Sequence, residues 1–196
     1  MRSTATLTTL IAAAALVVTA CTSTQTGQAS PTSEQSAAPS AGASSTDTAT
    51  NRLAGLNACT LLTDAEAQQV VPGAGAHTDQ GEIGGPGTSN CRWVTPAASS
   101  QGSVVFGVTV RPAQSITEVK PNPNRPDSTV SNTTTTGGRR VVVLRNSQGQ
   151  GSCQVSIEAG SGRVDIDTEV VPGTTDAAFE VDSKLSDYIE PRLPSS

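Results

Sequence analysis

The spacing of apolar residues divides this chain into three regions. An apolar stretch centred on residues 10–18 follows Arg2, the one positive residue of the N-terminal segment. The residues after this stretch show no apolar periodicity as far as residue 52. From Leu53 onward, apolar residues return at the intervals of helices and strands. The length of this last region suits one domain with a single core. We therefore expect an export signal at 1–20, a linker at 21–52 and one folded domain at 53–196.

Two segments of the domain have helical spacing. Thr63 and Glu66 stand three residues apart, as in a capping box, and residues 65–71 can carry one apolar stripe. A second helix is predicted to begin near Thr175 and to end at Pro191. Its apolar positions are Ala178, Val181, Leu185, Tyr188 and Ile189.

Between the two helices, alternation with a period of two predicts strands. The predicted strands are 91–94, 103–111, 139–145, 153–159 and 163–170, with a short strand near 76–80. The last three would form an antiparallel meander with one face exposed to water. Residues 73–90 and 112–138 are interpreted as long loops, the second with a helical turn at 115–120. The predicted fold class is α+β, a mainly antiparallel sheet with an N-terminal and a C-terminal helix packed on one face.

The apolar stretch ends in a candidate modification site. It closes with Val18-Thr19-Ala20-Cys21 and is shorter than a membrane-spanning helix, which needs roughly 20 apolar residues. This ending resembles the lipobox of bacterial lipoproteins, in which the cysteine thiol receives diacylglycerol before the signal is removed. The resemblance implies cleavage between Ala20 and Cys21, and a lipid on Cys21 that holds the protein at the extracytoplasmic face of the cell membrane. An ordinary secretory signal cut after Ala20 is the alternative.

The linker has the composition of a disordered segment. Residues 22–52 are rich in Ser, Thr, Ala, Gln, Gly and Pro, and such a segment cannot bury enough surface to fold. As a flexible tether of this length it would span roughly 30 Å. A glycosylated stalk remains an open alternative.

The charge of the chain excludes one class of partner. The formal net charge is −5, and removal of Arg2 with the signal would make it −6. An acidic chain without a basic stripe is not expected to bind nucleic acid. Because a polybasic patch is also absent from the sequence, attachment to the membrane would depend on the lipid.

The four cysteines predict one disulfide bond. With Cys21 assigned to the lipid, Cys59, Cys91 and Cys153 remain, and an oxidising compartment would leave one bond and one spare thiol. Three pairings are open. Cys91 and Cys153 both begin strands on apolar faces, which favours their bond and leaves Cys59 free or as an alternative partner. No two cysteines have Cys-x-x-Cys spacing, so a redox-catalytic role is not expected.

Four short segments carry a further resemblance. They are Cys59-Thr60-Leu61-Leu62-Thr63, Cys91-Arg92-Trp93, Gly137-Gly138-Arg139 and Cys153-Gln154-Val155. Together they are similar to a family of small actinobacterial envelope lipoproteins known only as domain of unknown function 3558. Members often have a further cysteine at the start of the last helix, where this chain has Asp176-Ala177, so the spare thiol could be any of the three. The resemblance implies no activity and no catalytic residues.

Groups able to perform catalysis are scarce in the sequence. His77 is the only histidine and lies in a Gly-rich loop, so we interpret it as a solvated residue and not as a catalytic base. Asp165, Asp167 and Glu169 alternate along a strand at intervals of about 6.6 Å, which indicates a solvated face and not a metal site. The sequence has no nucleotide-binding loop motif. We therefore expect no catalytic residue, no metal and no cofactor.

Three kinds of function remain open. The first is a non-catalytic binding or interaction domain that recognises an envelope protein, a lipid or a small ligand through loops 73–90 and 112–138. The second is a structural or accessory subunit of an envelope complex, which an exposed apolar patch would favour. The third is a carboxylate-based hydrolase, which needs two acidic side chains facing each other across a cleft. Sugar stacking is not expected, because the aromatic residues are all assigned to packing, namely Trp93, Phe106, Phe179 and Tyr188.

Overall fold

The structure is a computed structural model that describes residues 52–96 and 102–195, so Ala20 and Cys21 lie outside the described residues. The strands are β1 (Thr78–Gly81), β2 (Ser89–Val94), β3 (Ser103–Arg111), β4 (Thr129–Thr134), β5 (Arg140–Arg145), β6 (Ser152–Ala159) and β7 (Gly162–Val171). The α-helices are α1 (Asp64–Val70) and α2 (Thr175–Ile189). Short 3₁₀ helices lie at Ala58–Thr60, Ile116–Glu118 and Glu190–Arg192. None of the described helices is long and apolar enough to cross a membrane.

The seven strands form one antiparallel sheet in the order β1-β2-β3-β7-β6-β5-β4. Strands β1 to β3 make one meander and strands β4 to β7 make a second. The predicted antiparallel meander of β5, β6 and β7 is confirmed. The two meanders join where β7 pairs with β3 along its whole length, from Ser103 opposite Val171 to Arg111 opposite Arg163. The two longest strands, β3 and β7, therefore lie next to each other in the middle of the sheet.

Strand β4 is the one strand that the sequence pattern does not predict. It forms an edge of the sheet and pairs only with β5. Val130 is half-buried, whereas the other five residues of the strand are exposed Thr, Ser and Asn side chains. Because neither face of β4 is consistently buried, its sequence does not alternate between apolar and polar residues. The sequence of this strand is therefore similar to that of a loop.

The predicted pair of helices on one face of the sheet is wrong. Helix α2 alone lies across the sheet, where it contacts β6 and β7. Helix α1 begins with the expected capping box of Thr63 and Glu66, but it has only seven residues and one buried side chain, that of Ala67. With so little apolar surface it packs against α2 and forms no helical layer on the sheet. The fold is thus a seven-stranded antiparallel sheet with a single C-terminal helix and one small additional helix.

The main core lies between one face of the sheet and a cover formed by α2 together with residues 53–74. Trp93 and Phe106, opposite each other on β2 and β3, are fully buried and stacked with ring centroids 5.5 Å apart. Helix α2 adds Leu185 and Ile189 to the same core from above β6 and β7, and both are 0 % exposed. Their spacing along the helix is the one that the sequence pattern uses, which explains why α2 was predictable.

The opposite face of the sheet is covered over part of its area. Ile116 and Val119, in the connection between β3 and β4, form a second small cluster with Val142 and Leu144 of β5. Asp165 of β7 also lies on this face and is 1 % exposed. The prediction that this face of the meander is exposed to water is therefore wrong for this part of the sheet.

A carboxyl group is buried in the main core. Asp182 of α2 is 0 % exposed, and no hydrogen-bond partner for either of its oxygens lies within the described residues. The Thr168 hydroxyl and the Cys153 thiol are its polar neighbours. Burial raises the pKa of the Asp182 carboxyl well above its ordinary value. The folded protein therefore keeps Asp182 protonated, because a neutral carboxyl is far cheaper to bury than a charge.

We predict that Asp182→Asn removes part of the pH dependence of stability. Below the ordinary pKa of 3.8, the carboxyl is protonated in both the folded and the unfolded chain. Above it the unfolded chain releases the proton and the folded chain does not, so the free energy of unfolding falls as pH rises until the folded carboxyl also ionises. The stability advantage of the variant over the wild type should grow by up to about 1.4 kcal/mol per pH unit in this range.

Urea unfolding from about pH 4 to about pH 8 measures this difference. Asp187→Asn is the matched control, because Asp187 is exposed on the same helix. Parallel pH profiles for the wild type and Asp182→Asn would contradict the neutral, buried carboxyl.

Candidate functional site

One row of residues crosses the sheet on the face opposite α2. The strand register places Arg92, Gly107, Asp167, Gln154 and Leu144 side by side on β2, β3, β7, β6 and β5. Side chains at paired positions of neighbouring strands point to the same face of a sheet. The row is therefore one continuous line of five positions, with Gly107 and Asp167 at its middle.

This row lines a cleft with a volume of about 450 Å³. Gly107 contributes no side chain between Arg92 and Asp167, and a Cβ atom at position 107 would lie only 3.1 Å from the carbonyl oxygen of Cys91. The open space at the middle of the row therefore depends on glycine at this position. Further residues around the cleft are Gln80, Ile83, Asn90, Val105, Thr109, Asn122, Ser147, Gln148 and Glu169.

Hydrogen bonds fix the two ends of the cleft. At one end, Asn90 donates from Nδ2 to the carbonyl oxygens of Gly81 and Ile83, both at 3.0 Å, and Thr109 donates to Asn90 Oδ1 at 2.7 Å. At the other end, Asn122 donates from Nδ2 to the carbonyl oxygen of Ser147 at 2.7 Å. The two long loops predicted as binding surfaces thus both reach this cleft, the first through Ile83 and the second through Asn122.

A buried charge cluster lies in the next row of the same face. Asp165 Oδ2 accepts from Arg111 Nε at 2.6 Å, and its Oδ1 accepts from Arg163 Nε at 2.9 Å and from Ser156 Oγ at 2.7 Å. Arg163 also donates from Nη1 to the carbonyl oxygen of Ser115 at 2.7 Å, which ties the connection between β3 and β4 to the sheet. The cluster holds two positive charges against one negative charge, so it leaves a positive excess beside the cleft.

Asp167 is the acidic group in the middle of the cleft. It is half-buried, and no described residue donates a hydrogen bond to its carboxyl. Burial and then the negative charge of Asp165 raise the pKa of Asp167 to about 7, against the opposing effect of Arg111 and Arg163. At neutral pH the carboxyl can therefore accept or donate a hydrogen bond, depending on the group that meets it.

The three alternating acids of β7 have different surroundings. Glu169 is exposed at the rim of the cleft, Asp167 is half-buried in the cleft and Asp165 is buried between guanidinium groups. The interpretation as a solvated face holds for Glu169 and is wrong for Asp165. Because the partners of Asp165 are distant in sequence, the strand pattern carries no signal for this cluster.

The disulfide joins Cys59 to Cys91, so the predicted pairing of Cys91 with Cys153 is wrong. Strands β3 and β7 lie between the strands that carry Cys91 and Cys153. Three strand spacings separate these two cysteines by about 14 Å, which is too far for a disulfide.

Cys153 is the free cysteine of the described residues and is 2 % exposed. Burial raises the pKa of its thiol, so this spare cysteine stays protonated and shielded from oxidants.

His77 has partners that the sequence does not reveal. Its side chain is 40 % exposed, as expected of a loop residue, but its Nδ1 lies 2.9 Å from Asp64 Oδ1. The same oxygen accepts from the backbone N–H of His77 at 3.0 Å and from Trp93 Nε1 at 2.8 Å. The bond with His77, followed by that with Trp93, lowers the pKa of the Asp64 carboxyl. The interpretation of His77 as a merely solvated residue is therefore incomplete.

Comparison with known proteins finds a family match. A family model described as Protein of unknown function (DUF3558) matches residues 16–180. The matched segment contains Cys21 and all seven strands. No curated protein and no solved structure matches the chain.

Proposed function

The chain belongs to the DUF3558 family, and we propose that it is a non-catalytic binding domain held at the extracytoplasmic face of the cell membrane by a lipid on Cys21. In this proposal, the cleft along the Gly107–Asp167 row takes a small polar ligand of the cell envelope. The observation that carries it is the Asp167 carboxyl, which lies in the open cleft without a hydrogen-bond partner among the described residues.

The proposed anchor is supported by the sequence around Cys21. Val18-Thr19-Ala20-Cys21 resembles a lipobox, and the family match begins at residue 16, so this sequence falls within the segment shared with the family. Residues 22–52 would serve as the tether between the lipid and the domain. A tether of this length would let the cleft face the envelope at a distance from the membrane surface.

The residues of the cleft define the chemistry of the proposed ligand. Asp167 and Gln154 offer hydrogen bonds at the centre, and Arg92 adds a positive group at one end. Leu144 and the 54 % exposed Ile83 add apolar contacts at the sides. This mixture suits a small molecule with amine, amide or hydroxyl groups next to a short apolar group. Flat aromatic stacking surfaces are not offered, because Phe106 is 1 % exposed.

The position of the acids supports binding over hydrolysis. The acidic residues around the cleft are Asp167 and Glu169, which lie two residues apart on β7 and hence on the same wall. A carboxylate-based hydrolase places its two acids on opposite sides of the scissile bond. An accessory subunit would be favoured by a large exposed apolar patch. The exposed large apolar side chains of the described residues are Ile83, Val94 and Val171, and Ile83 belongs to the cleft. A structural or accessory subunit is therefore also the weaker proposal.

We predict that a small envelope component binds at the Gly107–Asp167 row. The isotope-labelled chain would be mixed with the water-soluble small-molecule fraction of a cell-envelope digest, and amide chemical shifts would be recorded. Shifts should change at Gly107, Gln154 and Asp167. Asp167→Asn should weaken binding by about 10-fold or more, since a hydrogen bond to a charged group contributes about 1.5–3 kcal/mol.

Glu158→Gln provides the matched control for this measurement. Glu158 lies on β6 of the same sheet and pairs with Arg140, away from the residues that line the cleft. It should leave the affinity unchanged. Shift changes confined to other surfaces, or equal binding by Asp167→Asn, would count against the cleft as the ligand site.

The anchor has a separate test. Cells that express the full chain and are fed an alkyne-tagged fatty acid should incorporate the tag into the wild type, and Cys21→Ser should abolish incorporation and release the protein from the membrane fraction. Retention of the tag by Cys21→Ser, or a soluble and untagged wild type, would show that Cys21 carries no lipid.

A further inference from the structure

Three side chains that can bind a metal ion meet beside the first strand. Cys59 lies in the 3₁₀ helix Ala58–Thr60, His77 immediately precedes β1, and Cys91 lies in β2. One ligand atom of each residue lies within 4.8 Å of those of the other two. While the disulfide is intact, the two sulfur atoms are bonded to each other and unavailable to a metal.

Contacts other than the disulfide hold the two cysteines near each other. The backbone N–H of Cys59 donates to Asn57 Oδ1 at 2.7 Å, and that of Ala58 donates to Ser89 Oγ at 2.9 Å. Cys91 pairs with Val108 inside the sheet. The bond to Ser89, the first residue of β2, therefore fastens the segment of Cys59 to that strand without using the S–S bond.

The orientation of the His77 ring is also fixed. Its Nδ1 lies 2.9 Å from Asp64 Oδ1, and Trp93 Nε1 donates to the same oxygen at 2.8 Å. A carboxylate bound to one ring nitrogen directs the other nitrogen toward a ligand, as in many carboxylate–histidine–zinc arrangements. Asp64 is itself fixed at the start of α1, so the histidine is held by a rigid element. Nε2 of His77 is thus the nitrogen left for a metal ion.

We propose that reduction of the Cys59–Cys91 disulfide creates a binding site for a zinc-type divalent cation, with the two cysteine sulfurs and His77 Nε2 as ligands. The reductant is a dithiol, whose two electrons and two protons break the S–S bond and give two thiols while the dithiol becomes a disulfide. The cation then binds as both thiols ionise, and two protons are released to solvent. Disulfide exchange with the oxidised form of the dithiol reverses the reaction: the protein S–S bond re-forms, the dithiol is regenerated with two protons from solvent, and the cation is released.

The ligand set defines the class of metal. Two thiolates and one imidazole are the donors of zinc and of related borderline-soft cations. Tetrahedral coordination with Zn–S bonds of about 2.3 Å would place the sulfurs about 3.8 Å apart. Side-chain rotation at partly exposed Cys59 can supply this opening. The fourth position would hold water, because His77 is 40 % exposed and the site is open to solvent on that side.

Cobalt binding tests the proposal directly. The full chain carrying Cys21→Ser would be reduced with a phosphine, freed of reductant without air, and titrated with Co²⁺. We expect one equivalent to bind, with thiolate-to-cobalt charge transfer and tetrahedral d–d absorption. Emission of Trp93, the single tryptophan, should be quenched in parallel, because its ring lies 5.8 Å from that of His77. The oxidised chain should show neither signal.

Variants separate this site from adventitious binding. Asp64→Asn should weaken Co²⁺ binding by about 10-fold or more, and His77→Ala should weaken it further. Glu82→Gln, which removes an exposed acid in the following loop, should bind as the parent does. The double variant Cys59→Ser, Cys91→Ser lacks both the bridge and the thiolates and should bind no Co²⁺, while its circular dichroism shows whether the unbridged chain folds.

Several results would overturn the proposal. Equal cobalt spectra for His77→Ala and the parent would mean that the histidine is not a ligand. Charge-transfer absorption that persists in the double cysteine variant would place the metal elsewhere, for example at Cys153. A reduced chain that is unfolded and does not refold when Co²⁺ is added would show that the three residues form no site.

Discussion

A carboxylate buried between two guanidinium groups organises the polar face of this sheet. Burial of the Asp165 charge is tolerable only because Arg111, Arg163 and Ser156 all donate to it. The same arginines reach outward, Arg111 to the Gln114 side chain and Arg163 to the Ser115 carbonyl. The connection between β3 and β4 is therefore fastened over one part of the sheet. The uncovered part of the same face is the cleft that contains Asp167.

The two faces of β7 place two acids in different surroundings. Asp182 lies on the core side, next to Thr168, where only the interior of the protein contacts it. Asp167, one residue from Thr168, lies on the other face and meets an open cleft. Burial raises the pKa of both carboxyls, but solvent and small molecules can reach only Asp167. Access, and not the pKa alone, therefore distinguishes the candidate site from the core.

Much of the local structure follows from sequence, because it depends on neighbouring residues. The capping box at Thr63, the apolar stripe of α2 and the alternation in β3 each reflect spacings of a few residues. Strand β4 was not predicted, because an exposed strand at the edge of the sheet has no alternation of apolar and polar residues. The order of the strands is equally hidden, and this explains the wrong disulfide: Cys91 and Cys153 share a face, but β3 and β7 separate them.

The candidate site was predictable only in part for the same reason. The segments predicted as loops both reach the cleft, although the second contains strand β4. The row from Arg92 to Leu144, in contrast, is assembled from five strands. Gly107 is the single glycine of β3, and a glycine inside a strand can mark a ligand site, but its place in the row appears only when Asp167 is placed opposite. The surroundings of His77 likewise depend on Asp64 and Trp93, which are brought together by the fold.

The protonation of Asp167 tests the account of the cleft most directly. The carboxyl carbon of this residue can be followed by NMR as a function of pH, with exposed Glu169 on the same strand as an internal comparison. A half-buried carboxyl beside Asp165 should titrate with a midpoint of about 7. A midpoint near the ordinary value of 3.8 would contradict the account of Asp167 as a sheltered carboxyl at a ligand site.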